Sequence, residues 1–314
     1  MNFTIAQLRY IVALDTYRHY VTAAENCFVT QPTLSMQIKK LEEDLGVIIF
    51  DRSKQPVVPT ELGEQIIQKA RDVIRSAEKI EQVIQDQLGE VKGELIIGVI
   101  PTLAPYLLPK FIGPFSRKYP DLHIVVRELQ TAQIIDLLKK DMIDVGILVT
   151  PLNEKGISEK PIFYDEFKVY VSDKNPLVKK DKISTDELIQ NKIWLLTEGN
   201  CFRTQTVNLC AMEQIERPEG SFEYESGSLQ TLINMVDREG GVTLIPEIAS
   251  LDLRKKQQNQ IKSLKGKDTS VREVSLVYAR NYAKRKVIDL LYKMIKKSIP
   301  EQLLDKKQFK VVHI

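Results

Sequence analysis

Thr30-Gln31-Pro32-Thr33-Leu34-Ser35-Met36-Gln37-Ile38-Lys39-Lys40-Leu41-Glu42-Glu43-Asp44-Leu45-Gly46 reads as a helix that marks both of its own ends. Thr30 can cap the first turn with its hydroxyl, and Pro32 falls where a missing N–H costs nothing. Leu34, Ile38, Leu41 and Leu45 recur at 4-3-4 spacing and make one apolar face, and Gly46 supplies the left-handed stop. Thr33, Ser35, Met36, Lys39 and Lys40 are left facing outward. Upstream, residues 4–16 read as a helix with Ile5, Leu8 and Val12 on one face, and Val21 to Cys27 as a short second helix. A short helix, a tight turn and a capped helix with small polar residues near its exposed N-terminal end match the geometry that reaches base edges in a major groove. An ordinary three-helix packing unit shows the same periodicity. Residues 50–60, with Arg52, Lys54, Pro56 and Pro59, read as a wing that touches backbone phosphate.

Downstream, from Glu61, Ile66, Ala70, Val73, Ala77, Ile80 and Ile84 alternate by four and three, which is the seam of a coiled coil. A helix packed on its own domain is the other reading. Gly89 and Gly93 mark the end of this linker. Beyond it, β-branched apolar runs at 94–100, 122–129, 144–149, 167–172, 193–196, 242–246 and 271–280 alternate with helical patterns at 133–140, 229–238 and 283–298. The alternation implies two α/β lobes, with the last strand and helix returning to the first lobe and a ligand cleft between them.

Composition sets the outer limits. The 314 residues are 43% hydrophobic and 28% charged, with a net charge of +3, which fits two or three ordinary cores and excludes a disordered chain. The first 60 residues carry six basic side chains (Arg9, Arg18, Lys39, Lys40, Arg52, Lys54) against six acidic ones, so nucleic-acid binding depends on placement and not on bulk charge. No apolar run of about 18 residues and no secretory leader is seen, so a cytoplasmic protein is expected, with no membrane partner. Three cysteines without a C-x-x-C spacing argue against a zinc site or a disulfide scaffold; neither a metal nor a cofactor is expected. Two of them, Cys201 and Cys210, sit nine positions apart. On one helix that spacing is about 13 Å of rise and half a turn of offset, so the thiols could not bond without unwinding the segment. Two buried structural cysteines and a redox switch are both consistent with the spacing alone. Cys27 reads as a small buried hydrophobe.

The segments Thr30 to Ser35 and Leu41 to Val47 resemble the winged helix-turn-helix of LysR-type transcriptional regulators. The likeness continues through the linker into both lobes, in Thr-Leu-Ala-Pro-Tyr-Leu-Leu-Pro at 102–109, Glu-Leu-Gln-Thr at 128–131, the Cys201 to Cys210 interval, and Asn-Met-Val at 234–236 before Thr-Leu-Ile-Pro. Within that family it is similar to the hydrogen-peroxide sensors. The resemblance implies an N-terminal all-α winged helix-turn-helix (1–60), a dimerisation linker helix (61–90) and an α/β regulatory domain of two periplasmic-binding-protein-like lobes (91–302). Lobe I would take 91–166 and 270–302, lobe II 167–269, and a tail 303–314.

It also implies roles. Cys201 would be the peroxidatic and Cys210 the resolving cysteine. Thr102, Thr131, Gly199, Asn200 and Arg272 would form the peroxide pocket, and Gln31, Thr33, Ser35, Lys39, Lys40 and Arg52 would contact DNA. Arg272 would help ionise the thiol, although a plain surface arginine fits the sequence as well. Such a protein is a regulator and not an enzyme, an activator of the oxidative-stress response. Its partners would be promoter DNA, RNA polymerase, hydrogen peroxide, dithiol reductants of the glutaredoxin or thioredoxin type, and three further copies of itself as a dimer of dimers. One departure stands out: these sensors commonly carry histidine before the reactive cysteine, where this chain has Asn200, which cannot titrate near neutrality. A regulator that binds a small metabolite between the lobes, and a thiol peroxidase with an appended DNA-binding segment, are the competing readings.

Overall fold

The computed structural model describes residues 3–87, 90–210, 227–266, 269–280, 284–304 and 309–312. Two compact units divide the chain: Met1–Glu90 with Asn281–Arg285, and Val91–Arg280 with Lys286–Ile314.

In the first unit, α1 (Ile5–Tyr17) starts from a capping box in which the Thr4 hydroxyl accepts from Gln7 N and the Gln7 side chain from Thr4 N. Its inward face is Leu8, Ile11 and Leu14; Ile5, expected on that face, is 47% exposed and Val12 only half-buried. α2 (Tyr20–Asn26) ends at Cys27, and α3 (Gln31–Leu45) is capped by Thr30 and stopped by Gly46 at φ 68°. Leu34, Ile38 and Leu41 are fully buried, while Leu45 lies at the edge. β1 (Phe50–Asp51) and β2 (Val58–Pro59) pair antiparallel as the wing.

Next comes α4 (Glu61–Gln87), which packs on α1. Ile67, Ala70 and Arg71 face inward, and Arg71 Nη2 donates to Asp15 Oδ2 at 2.8 Å. The expected seam is only partly used within the unit: Ile66 touches the core, whereas Val73 and Ile80 are exposed. The Ile84 side chain and Gly89 lie outside the described residues.

The second unit follows the order β3 (Gly93–Val99), α5 (Ala104–Lys118), β4 (Leu122–Glu128), α6 (Thr131–Lys139), β5 (Val145–Thr150), β6 (Ile157–Val171), β7 (Lys182–Ile183) and α7 (Thr185–Ile189). It continues with α8 (Cys201–Leu209), α9 (Leu229–Glu239), β8 (Val242–Pro246), α10 (Glu247–Ser250), α11 (Lys255–Gln258), β9 (Ile261–Leu264), β10 (Thr269–Ala279), α12 (Arg285–Ser298), α13 (Glu301–Leu304) and β11 (Phe309–Val311). The sheet runs β4-β3-β5-β10-β6-β9-β7, with β8 paired to β6 and β11 to β10. β5 is buried at every position, as a strand covered on both faces must be.

Sequence patterning missed half of β6. A strand was expected only from Phe167, but the chain is extended from Ile157: Lys160 and Pro161 interrupt the apolar run, while the pairing with β10 continues across a register shift between Val274 and Ser275. β6 changes partners along its length, pairing with β10 through Glu166 and with β8 and β9 from Phe167 onward. The run at 193–196 is not a strand; it makes one bridge, Ile193 to Val242. α12 begins at Arg285, and the expected start at Ala283 lies outside the described residues.

Candidate functional site

Two carboxyl-terminal strand ends and one helix start converge in the second unit. The turn after β3 carries Thr102, which is 1% exposed. After β4, Gln130 caps α6 and Thr131 is its first residue. The Thr131 hydroxyl is buried and has no hydrogen-bond partner among the described residues. A hydrogen bond from that hydroxyl would favour an ionised Cys201.

Cys201 opens α8 and Cys210 closes it. Gly199 adopts φ +81°, a left-handed turn that brings the chain into the helix, and a Cβ there would lie 3.2 Å from the Gln130 carboxamide. Asn200 is the N-cap: its Oδ1 accepts from Phe202 N at 3.0 Å. That cap occupies the side chain that stands where histidine is usual. Cys201 and Cys210 are both buried and both free thiols, separated by about 13 Å of helical rise.

Opposite them, β6 and β10 place Asp165 and Arg272 directly across the ladder, both fully buried. Arg272 is therefore not a surface arginine, and that alternative is withdrawn. Its Nε and Nη2 donate to Asp165 Oδ2 at 3.0 and 2.8 Å. Nη1 donates to Thr102 Oγ1 at 2.9 Å and Nη2 to the Thr102 carbonyl at 3.3 Å. Asp165 Oδ1 accepts from Ile248 N, in the first turn of α10, at 2.9 Å. The guanidinium lies 5.2 Å from the Phe202 ring, which stacks on Phe167.

Burial raises the Cys201 thiol above its ordinary range; the Arg272 charge, the Thr131 hydroxyl and the backbone N–H groups of Cys201 and Phe202 oppose it without prevailing. Burial alone pushes Cys210 up to about 11. Burial thus disfavours the anion at both thiols, and one of them lies beside groups able to stabilise it.

Thr102, Thr131, Gly199, Asn200, Cys201 and Arg272 come together here, and Cys210 stands at the far end of the same helix. Asp165, Gln130 and Phe202 belong to the site but were not singled out from sequence. Asp165 had a legible signal: it occupies the inward parity of Phe163, Asp165, Phe167 and Val169, where a carboxylate needs a partner. Cys27 is half-buried in the other unit.

In that other unit Gln31, Lys39 and Lys40 are exposed, and Thr33 and Ser35 half-exposed, along α3. Lys39 is 3.7 Å from Glu43, and Arg52 Nη2 donates to Glu42 Oε2 at 2.7 Å. Among the described residues no group of three or more His, Cys, Asp or Glu side chains could hold a metal ion, and no helix is long and apolar enough to cross a membrane.

Residues 5–64 match the bacterial regulatory helix-turn-helix of the lysR family, and residues 88–299 the LysR substrate binding domain. The chain is 35% identical over 248 residues to a hydrogen peroxide-inducible genes activator from Haemophilus influenzae, covering 79% of this chain and 81% of that one. It is 33% identical over 252 residues to the DNA-binding transcriptional dual regulator OxyR of Escherichia coli, covering 80% and 82%. Among solved structures, a full-length OxyR variant from Pseudomonas aeruginosa superposes with a TM-score of 0.81 at 31% identity, covering 98% of this chain and 99% of that one. A Corynebacterium glutamicum OxyR variant with hydrogen peroxide bound gives 0.60 at 27% identity, covering 94% and 92%. A reading head of capped helices, a sheet that hands β6 from one set of strands to another, and these two matches together covering most of the sequence leave one assignment: the chain belongs to the LysR family of bacterial transcriptional regulators.

Proposed function

We propose that this regulator senses hydrogen peroxide through Cys201 and Cys210 and activates an oxidative-stress response. The observation that carries the reading is the Cys201 thiol at the start of α8, beside a Thr131 hydroxyl with no other partner and the Arg272–Thr102 pair. The names of its relatives, and the peroxide-bound neighbour, support the oxidant. The Cys201 thiolate attacks one peroxide oxygen: an S–O bond forms, the O–O bond breaks, and the leaving hydroxide takes a proton to become water. Thr131 and Thr102 hold the oxidant, since each hydroxyl can both donate and accept. The Cys210 thiol then displaces water from the sulfenic acid, giving the disulfide. Because the helix keeps the two sulfurs apart, α8 must unwind for the bond to close. A dithiol of the glutaredoxin or thioredoxin type returns both sulfurs to thiols.

In this reading the parts divide as 1–60 reading head, 61–90 dimerisation helix, 91–302 two-lobed sensor and 303–314 tail. The exposed Val73 and Ile80 of α4 pair two chains, and two pairs form a cytoplasmic homotetramer. Gln31, Thr33 and Ser35 read promoter DNA, Lys39, Lys40 and Arg52 hold its phosphates, and refolding of α8 changes the contact with RNA polymerase.

The test is a brief peroxide pulse followed by mass spectrometry, with footprinting on promoter DNA in parallel. Trypsin cuts after Arg203 and places the two cysteines in separate peptides, so a disulfide appears as a new linked pair. One peroxide consumed per Cys201, with a changed footprint, is expected. A Cys201→Ser variant that still answers peroxide, or steady turnover with a dithiol, overturns the proposal.

A further inference from the structure

The Arg272 charge does not reach the thiol unopposed. Asp165 faces it across the β6–β10 ladder, both side chains are fully buried, and two of the guanidinium nitrogens share one carboxylate oxygen. The other carboxylate oxygen is tied to the first turn of α10 through Ile248 N. Asp165 therefore has a fixed place from which to hold Arg272, and Arg272 has a fixed place from which to hold Thr102 and cover Phe202.

We propose that Asp165 is a positioning residue for the redox thiol: it anchors Arg272 at the site and cancels most of its charge, so that the reactivity of Cys201 follows from the pair and not from the arginine alone. The inference rests on Cys201 being the reacting thiol, and it changes what Arg272 does. An isolated buried cation would drive the thiol to thiolate at rest and make it react with trace oxidant. A cation already paired leaves the thiol protonated, and the threshold for oxidation rises. Among the described residues, the charged and titratable groups tied to this centre include Asp165 from β6, Arg272 from β10, Tyr106 from α5 with Asp252 beyond it, and Cys201 itself from α8, with the Thr131 hydroxyl from α6. Tyr106 is held neutral, since burial first and then Asp252 raise its phenol while Arg272 lowers it. Burial raises the Cys201 thiol, and the Arg272 charge lowers it without prevailing.

The experiment reads the fraction of Cys201 alkylated by iodoacetamide against pH in the full-length chain, using the tryptic peptide that ends at Arg203. In the unchanged chain the midpoint is expected at or above that of a free cysteine, about 8.5; a midpoint below about 7 overturns the proposal without any variant. Asp165→Asn keeps the shape and removes the negative charge. Its midpoint is expected to fall by about one unit or more, and peroxide oxidation at neutral pH to speed up about threefold to tenfold. Arg272→Gln moves the midpoint the other way.

The decisive comparison is the double variant Asp165→Asn/Arg272→Gln, which leaves no buried charge and so guards against misfolding of either single one. A midpoint close to that of the unchanged chain supports cancellation. A rise of one unit or more shows that Arg272 acted alone and overturns it. Alkylation needs no peroxide: a chain that follows this pH pattern yet never forms the disulfide loses the sensor reading and keeps the inference.

Discussion

The Thr131 hydroxyl, buried without a partner among the described residues, and the Cys210 thiol, raised to about 11, respond to burial in ways that can be measured separately. Removing an unsatisfied buried hydroxyl while keeping its volume relieves a desolvation cost, so Thr131→Val is expected to leave stability unchanged or raise it by up to about 1 kcal/mol. The same change deletes a donor from the proposed peroxide position, and oxidation of Cys201 should slow about tenfold or more. Thermal unfolding and stopped-flow oxidation read the two effects; a destabilised variant that senses normally would make Thr131 a packing residue.

For Cys210 the sign runs against alkali. The folded chain keeps a proton that the unfolded chain, titrating near 9.0, gives up. Between about pH 9 and 11 the unfolded state binds fewer protons, so stability falls as pH rises. The loss is up to about 2 kcal/mol. Urea unfolding of the reduced chain should show it, and Cys210→Ala, measured at the same pH values, should show less of it. Equal slopes for the two chains would mean that the thiol is not buried as described.

At the scale of elements, the legible parts were those whose ends are chemical. α3 could be read from Thr30 to Gly46 because a cap and a left-handed glycine bound an unambiguous 4-3-4 stripe. β6 could be read only from Phe167, because its first half pairs through its backbone while carrying Lys160 and Pro161, which sequence patterning counts against a strand. The cysteine pair was visible from spacing; Asp165 showed only as a carboxylate at the inward parity of its strand, and what it does there depends on Arg272 across the ladder.

The α4 start shows a further constraint that no periodicity reveals. A Cβ at Gly63 would run into the Ile49 carbonyl, whose oxygen accepts from Thr60 N. Ile49 N is itself held by Glu42 Oε1 at 2.8 Å, so the backbone there cannot retreat. Gly63→Ala is expected to cost about 2 kcal/mol or more in stability of the reading head. Because no charge is lost, DNA affinity should fall with an unchanged salt slope. A variant that melts with the parent would mean that α4 does not start against the wing as described.

Over the whole molecule, a net charge of +3 from 45 basic and 42 acidic residues gives no field strong enough to recruit DNA by itself. Affinity must come from where the cations stand, and the α3–wing surface makes the three candidates unequal. Lys39 lies 3.7 Å from Glu43 with both side chains about two-thirds exposed, a pair worth almost nothing and readily given up to a phosphate. Lys40 is exposed one position further along the helix. Arg52 instead binds Glu42, whose other oxygen accepts from the backbone N–H groups of Ile49 and Phe50 and so braces the wing.

Lys39→Ala and Lys40→Ala should therefore each flatten the dependence of log affinity on log salt by about 0.9 for every head engaged, and leave folding untouched. Arg52→Ala should flatten it by a similar amount and also lower the stability of the reading head by about 1 kcal/mol, because Glu42 loses its counter-charge. Titration of promoter DNA at several salt concentrations, beside thermal melts of the same variants, separates the two kinds of loss. Affinity and salt dependence unchanged in both Lys39→Ala and Arg52→Ala would mean that this face does not meet the phosphates, and the reading head would have to be placed elsewhere on the unit.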